Sequence, residues 1–186
     1  MNDVIHCINL SKRTDRMASI VKQSKDMKLP VQFWEGIVNP VMPFMGICQS
    51  FKRIVYYAKQ NNLDRVIIME DDCIFTKPNS YEYFLSQIPN EYDLMMGMVY
   101  EGNLNSENRI VSGFSGMTLF SVNKRFYDYF LQIRETNNID RELGKFCDTK
   151  EYYVCDKFVA YQQNGYSDNK GRYAGYEHLL KGREMF

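Results

Sequence analysis

Arg65-Val-Ile-Ile-Met69 runs without a break into Glu70-Asp71-Asp72. The first five residues form a near-continuous β-branched run with no polar alternation, as expected of a central strand of a parallel sheet, buried on both faces. Parallel strands need helical crossovers, and helical spacing appears on both sides of the run. Upstream, Ile47, Phe51, Ile54, Val55 and Ala58 recur three and four apart, which predicts an amphipathic helix over Ile47 to Asn62. Further back, Val4 to Leu10 reads as a buried strand and Arg13 to Lys28 as a charged helix broken by Leu29-Pro30. Val31 to Trp34 reads as a second strand, and Asn39 to Pro43, with two prolines, as a loop.

Downstream, Tyr81 to Ile88 predicts a short helix, and Tyr92 to Met98 and Met117 to Val122 two more buried strands. Asn123 to Arg134 is helical in pattern, with Phe126, Tyr129, Phe130 and Ile133 on one face. The order is α/β throughout, a mostly parallel central sheet flanked by helices. At 186 residues the expectation is one domain, with 165–186 a lid or mobile segment, because Gly165 to Arg172 turns polar and glycine-containing.

Three consecutive carboxylates where a strand leaves the core repel one another and call for compensation. A divalent cation supplies it, since Mg²⁺ and Mn²⁺ take hard oxygen ligands and share them between one or two carboxylates and substrate phosphates. Open α/β sheets also bind ligands at the carboxyl ends of their strands. Strand alternation puts Glu70 and Asp72 on one side and Asp71 on the other. Asp72 is therefore read as the metal ligand, Glu70 as a contact to the metal, its water or a ribose, and Asp71 as a support. Read alone, the triplet is equally compatible with an ordinary acidic turn.

Composition narrows the partners. Lys plus Arg and Asp plus Glu stand at 23 each, so no overall field gathers nucleic acid. No apolar stretch approaches the roughly 20 residues of a membrane span, and the start lacks the basic and apolar regions of a signal peptide. A cytoplasmic protein is expected, with peripheral association the only membrane contact left open. The five cysteines are scattered, odd in number and without metal-site spacing, as for buried free thiols. His6 lies inside the first strand and reads as a core residue, and His178 reads as a surface residue or a late metal ligand.

Several segments together resemble glycosyltransferase family 25, which includes bacterial lipooligosaccharide galactosyltransferases. Ile8-Asn9-Leu10 followed by Arg13-Thr-Asp15-Arg16 is similar to the family's opening, and Gly46-Ile-Cys48-Gln-Ser50 to its Gly-x-x-x-Ser helix start. Glu70-Asp71-Asp72 follows at the expected distance. Tyr92-Asp93-Leu94 with Gly97, Ser112-Gly113 through Ser121, Ile139-Asp140, then Gln162 or Gln163 and Ser167-Asp168 complete the order. One position departs: Phe51 stands where the family usually has His.

The resemblance implies a GT-A-like, nucleotide-sugar-binding fold. It also implies inverting transfer of a sugar, often galactose, from a UDP-sugar donor to a glycan or lipid-linked acceptor in cell-surface polysaccharide synthesis, with Mn²⁺ or Mg²⁺. On that reading Arg13 and Arg16 hold phosphate, Asp15 holds a nucleotide hydroxyl or orients the arginines, and Asn9 contacts the nucleobase. Asp140, which could equally cap a helix, is the candidate base and Asp156 its rival. Gln163, Ser167 and Asp168 close over the donor. Two other functions remain open at this stage: a silent nucleotide-sugar-binding module, motivated by Phe51, and a metal-dependent phosphotransferase or nuclease. The latter would need a second carboxylate cluster or a phosphate-cradling glycine loop, and no Gly-x-x-x-x-Gly-Lys pattern occurs.

Overall fold

The computed structural model describes residues 3–186; Met1 and Asn2, where the expected domain begins, lie outside the described residues. Strand β1 (Ile5–Asn9) leads into α1 (Thr14–Met27), β2 (Val31–Glu35), α2 (Pro43–Gln60) and β3 (Arg65–Glu70). Then follow β4 (Cys73–Phe75), α3 (Ser80–Gln87), β5 (Leu94–Met96), β6 (Leu119–Asn123), α4 (Tyr127–Gln132) and α5 (Ile139–Leu143). Short strands β7 (Tyr152–Val154), β8 (Ala160–Gln162), β9 (Gly165–Ser167) and β10 (Arg172–Ala174) close the chain. Helix α2 begins four residues earlier than its apolar pattern, because Pro43 sits in its first turn, where a missing N–H costs nothing.

Six strands form the central sheet in the order β2-β1-β3-β6-β5-β7. β1 pairs in parallel with both β2 and β3, and β5 with β7, whereas β6 runs antiparallel to both β3 and β5. The expectation of a parallel central strand therefore holds for one edge of β3 only. The reversal matters for the site: it brings the residues preceding β6 to the carboxyl end of β3, where the Glu70 amide donates to Thr118 O at 2.9 Å.

Both faces of the sheet are covered, which explains the missing polar alternation in β3. Val66 and Ile68 pack with Phe51, Ile54, Val55 and Ala58 of α2 and with Phe120 and Phe130, while Ile67 and Met69 face Ile20 of α1 and Tyr81 and Phe84 of α3. His6 is a satisfied core residue, its Nδ1 accepting from Trp34 Nε1 at 2.9 Å. All five cysteines are free and buried. Among the described residues no helix is long and apolar enough to cross a membrane.

Gly46 and Ser50 have a packing role that their spacing alone does not disclose. One turn apart on α2, they receive the backbone of the loop after β2: Ile37 N donates to Ser50 Oγ at 2.8 Å, and a Cβ on Gly46 would lie 2.3 Å from Ile37 O. Gly46→Ala is accordingly expected to destabilise the fold by about 1–3 kcal/mol, as overpacking against a backbone atom cannot be relieved by a rotamer change. Urea unfolding measures it, and an unchanged midpoint would mean that the loop yields freely.

From Gly165 to Arg172, where the sequence suggests a mobile loop or fraying end, the chain forms an antiparallel hairpin of β9 and β10. Its tip is tied to the start of α1 by ion pairs. The final residues return to the body, with Phe186 N donating to Phe158 O at 2.9 Å.

Candidate functional site

The parallel strands β1, β2 and β3 all end at one edge of the sheet, and a cleft of about 610 Å³ opens there. That is the size of a small-molecule site. Apolar residues, among them Ile8, Leu10, Ile37, Val38, Pro40, Phe44 and Ile47, form part of its lining. Charged residues form another part. Six carboxylates (Glu70, Asp71, Asp72, Glu101, Asp140 and Asp168) meet four basic groups (Lys12, Arg16, Arg141 and Lys170), so the lining is net acidic.

The triplet forms the floor because β3 ends at Glu70 and the chain turns before β4. Asp71 and Asp72 are only 7% and 6% exposed, yet both border the cleft. Arg16 compensates them: its Nη1 lies 2.7 Å from Asp71 Oδ1 and 3.1 Å from Asp72 Oδ2. Asn9 Nδ2 donates to Asp71 Oδ2 at 2.8 Å, and Thr118 Oγ1 to Asp72 Oδ1 at 3.3 Å. Gln162 Nε2 reaches Glu70 Oε2 at 3.3 Å.

Burial, together with the charges of Asp72 and Asp71, raises the Glu70 pKa well above the usual carboxylate value. Burial also raises that of Asp72, against the pull of Arg16. Among the described residues no group of three or more His, Cys, Asp or Glu side chains is arranged to hold a metal ion. Glu70 and Asp72 are the two carboxylates that could contribute to one, with oxygens from a ligand completing the shell.

The other sequence-derived candidates divide. Arg16 and Asp168 line the cleft, as does Asp140, at the second position of α5 behind Asn138. The Asp140 side chain serves both its own helix and a second segment: Oδ1 accepts from Arg141 N at 2.8 Å in the first turn of α5, and Oδ2 accepts from Gly116 N at 2.9 Å. Asn9, expected at a nucleobase, is buried beneath the triplet with its amide committed to Asp71 and to Arg13 O, so it is a brace.

Arg13 does not border the cleft. Its guanidinium is held by Asp15, by Asp168 at 2.8 Å and by Tyr166 O at 2.9 Å. Asp15 points to solvent and touches only Arg13 among side chains, so it orients that arginine and lies away from any nucleotide hydroxyl in the cleft. Asp156 is misplaced for a base: exposed and outside the cleft, it accepts from the Tyr83 hydroxyl and from Lys157 N. Gln163 likewise points away, into a smaller pocket with Tyr161 and Glu177, and only its amide meets the site, donating to Asp72 O at 2.7 Å. Its neighbour Gln162 lines the cleft. His178 is on the surface.

Phe51 is 1% exposed and packs edge-on against Phe120 with centroids 5.1 Å apart, touching the cleft from the core side. Sequence reading missed four contributors. Lys12 pairs with Asp168 at 2.6 Å, and Thr118 supports Asp72. Tyr100 and Tyr176 stack with centroids 5.7 Å apart along one wall. Lys12 was detectable, standing beside Arg13 in one basic turn; the other three depend on tertiary contacts.

Fold and site define an α/β protein with a six-stranded, mostly parallel sheet and a net-acidic cleft at the carboxyl ends of its parallel strands. No family model and no curated protein matches the chain. Among solved structures, A197 from STIV is similar over 89% of this chain and 87% of its own, with 10% identity and a TM-score of 0.56. HddC from Yersinia pseudotuberculosis is similar over 82% of this chain and 68% of its own, at 14% identity and TM-score 0.48. A protein assigned as a glucose-1-phosphate thymidylyltransferase from Bacillus anthracis, solved with a sucrose, is similar over 80% and 65%, at 8% identity and TM-score 0.47. The likeness to A197 is one of fold, and the other two are too distant to add to it.

Proposed function

We propose that this chain is a glycosyltransferase of GT-A-like fold that takes a UDP-sugar as donor, with Mn²⁺ or Mg²⁺ as its cation and a glycan or lipid-linked acceptor. The observation that carries the reading is the placement of Glu70-Asp71-Asp72 in a cleft whose charged lining is net acidic and whose lining also includes many apolar side chains. Such a cleft repels a free diphosphate, and a divalent cation reconciles the two. The donor set fits: Glu70 and Asp72 offer two carboxylates, the number Mg²⁺ commonly takes from protein before substrate phosphates and water complete its shell.

When bound, the cation would stabilise the charge that develops on the departing diphosphate. The chain's own residues supply the rest. Arg16 and Lys12 provide charged donors for phosphate, the apolar lining residues exclude water from a nucleoside, and Asp140, oriented by the Gly116 amide, accepts the acceptor's hydroxyl proton. The test is calorimetric titration of UDP with and without Mn²⁺, beside a hydrolysis and transfer assay over a panel of UDP-sugars. Metal-dependent binding with turnover supports the proposal, and no UDP binding in either condition sinks it.

A second reading, a silent nucleotide-sugar-binding module, is favoured by Phe51, whose ring can neither ligate a metal nor carry a proton. Metal-dependent binding without turnover on any donor would select it.

A further inference from the structure

The triplet already has a cation, and it belongs to the protein. One guanidinium nitrogen of Arg16 spans Asp71 and Asp72, and the other terminal nitrogen donates to Tyr166 O at 3.1 Å. The three side chains are nearly buried, and Arg16 stays charged at every accessible pH. Asp72 Oδ2, the oxygen nearest to Arg16, is also one that a metal on Asp72 would use. Two cations sharing that oxygen in a poorly solvated site repel each other far more than they would in water. Moving Arg16 away without a replacement would leave two buried carboxylates unpaired, which is equally unfavourable. A diphosphate resolves the conflict, because guanidinium pairs with phosphate oxygens in bidentate fashion.

We infer that Arg16 is an exchangeable counter-ion, which holds Asp71 and Asp72 until a nucleoside diphosphate draws it off and so makes cation binding at Asp72 conditional on the nucleotide. This rests on the metal-diphosphate reading of the cleft. By linkage, the factor by which nucleotide tightens the cation is the factor by which the cation tightens nucleotide. Direct metal-phosphate bonds also create such coupling, so the part due to Arg16 shows itself in the binding of cation alone.

The experiment measures free Mn²⁺ by its paramagnetic resonance while the whole chain is titrated, with and without UDP. The protein, Arg16→Gln and Arg13→Gln are compared. Arg13→Gln removes the same charge three residues away, from a side chain that touches neither Asp71 nor Asp72. Arg16→Gln is expected to bind Mn²⁺ alone about 10-fold or more tighter than the unaltered protein, with coupling to UDP reduced. Arg13→Gln is expected to change that affinity by about twofold or less, as a screened charge would.

Equal affinities in Arg16→Gln and the unaltered protein, or the same gain in both variants, would overturn the inference. Absence of Mn²⁺ binding in the unaltered protein even with UDP would instead refute the metal reading itself, and the inference with it. If Arg16→Gln does not fold, the unaltered protein still decides the matter through the Nε resonance of Arg16. That signal is expected to stay in place with Mg²⁺ alone and to shift with Mg²⁺ and UDP together; a shift with Mg²⁺ alone would overturn the inference.

Discussion

Asp72→Asn is expected to abolish Mn²⁺-dependent binding of UDP, weakening it by about 100-fold or more while leaving the fold intact. Removing even an outer-shell partner of a metal ligand commonly costs 10- to 100-fold, and the proposal makes Asp72 the ligand itself. The substitution preserves size and an oxygen that can accept from Thr118, so the support around position 72 survives. Arg16 retains Asp71 at 2.7 Å and is not stranded. Calorimetry with UDP in the presence and absence of Mn²⁺ reads the effect, and thermal unfolding checks the fold. Unchanged affinity would remove Asp72 from the metal site.

Phe51→Ala is expected to cost about 3–5 kcal/mol of stability, the typical range for truncating a buried phenylalanine. The ring lies between α2 and the sheet, in the cluster that joins α2 to Ile68 of β3 and Phe120 of β6. It also makes an edge-to-face contact with Phe120, a geometry that adds to simple burial. Chemical denaturation measures the loss. A cost below about 1 kcal/mol would show that the neighbouring chains collapse into the space and that Phe51 does not anchor the helix. The residue that breaks the family-like pattern is thus bound up with core packing, and its bearing on turnover is separable from its bearing on the fold.

Much of the architecture was legible in local pattern. A β-branched run with no polar alternation identified β3 as a strand buried on both faces, and three-and-four spacing identified α2, because burial imposes its period on the sequence directly. The acidic triplet was legible for a related reason: three carboxylates after such a run conflict with burial, and a conflict of that kind marks a site. The Gly46 and Ser50 spacing was visible too, but not its cause, since the backbone of Ile37 that they receive comes from a different segment.

What local pattern could not settle was direction and partnership. Nothing in the composition of Leu119 to Asn123 distinguishes a parallel from an antiparallel strand, yet its reversal is what delivers Thr118 to Asp72. Gln162 and Gln163 are adjacent and chemically identical; successive residues at a strand end face opposite ways, and pairing of Gln162 with Cys73 sends one to Glu70 and the other outward. Asp140 and Asp156 were rivals on paper, and only the packing of α5 against the cleft and of Asp156 against Tyr83 separates them.

By itself, then, the sequence determined an α/β chain whose strongest strand ends in an acidic triplet, because apolar periodicity and charge conflict are written locally. Only the tertiary structure decided that Arg16, more than fifty residues away in sequence, is the cation paired with Asp71 and Asp72, because which charges meet depends on how strands pair and helices cross.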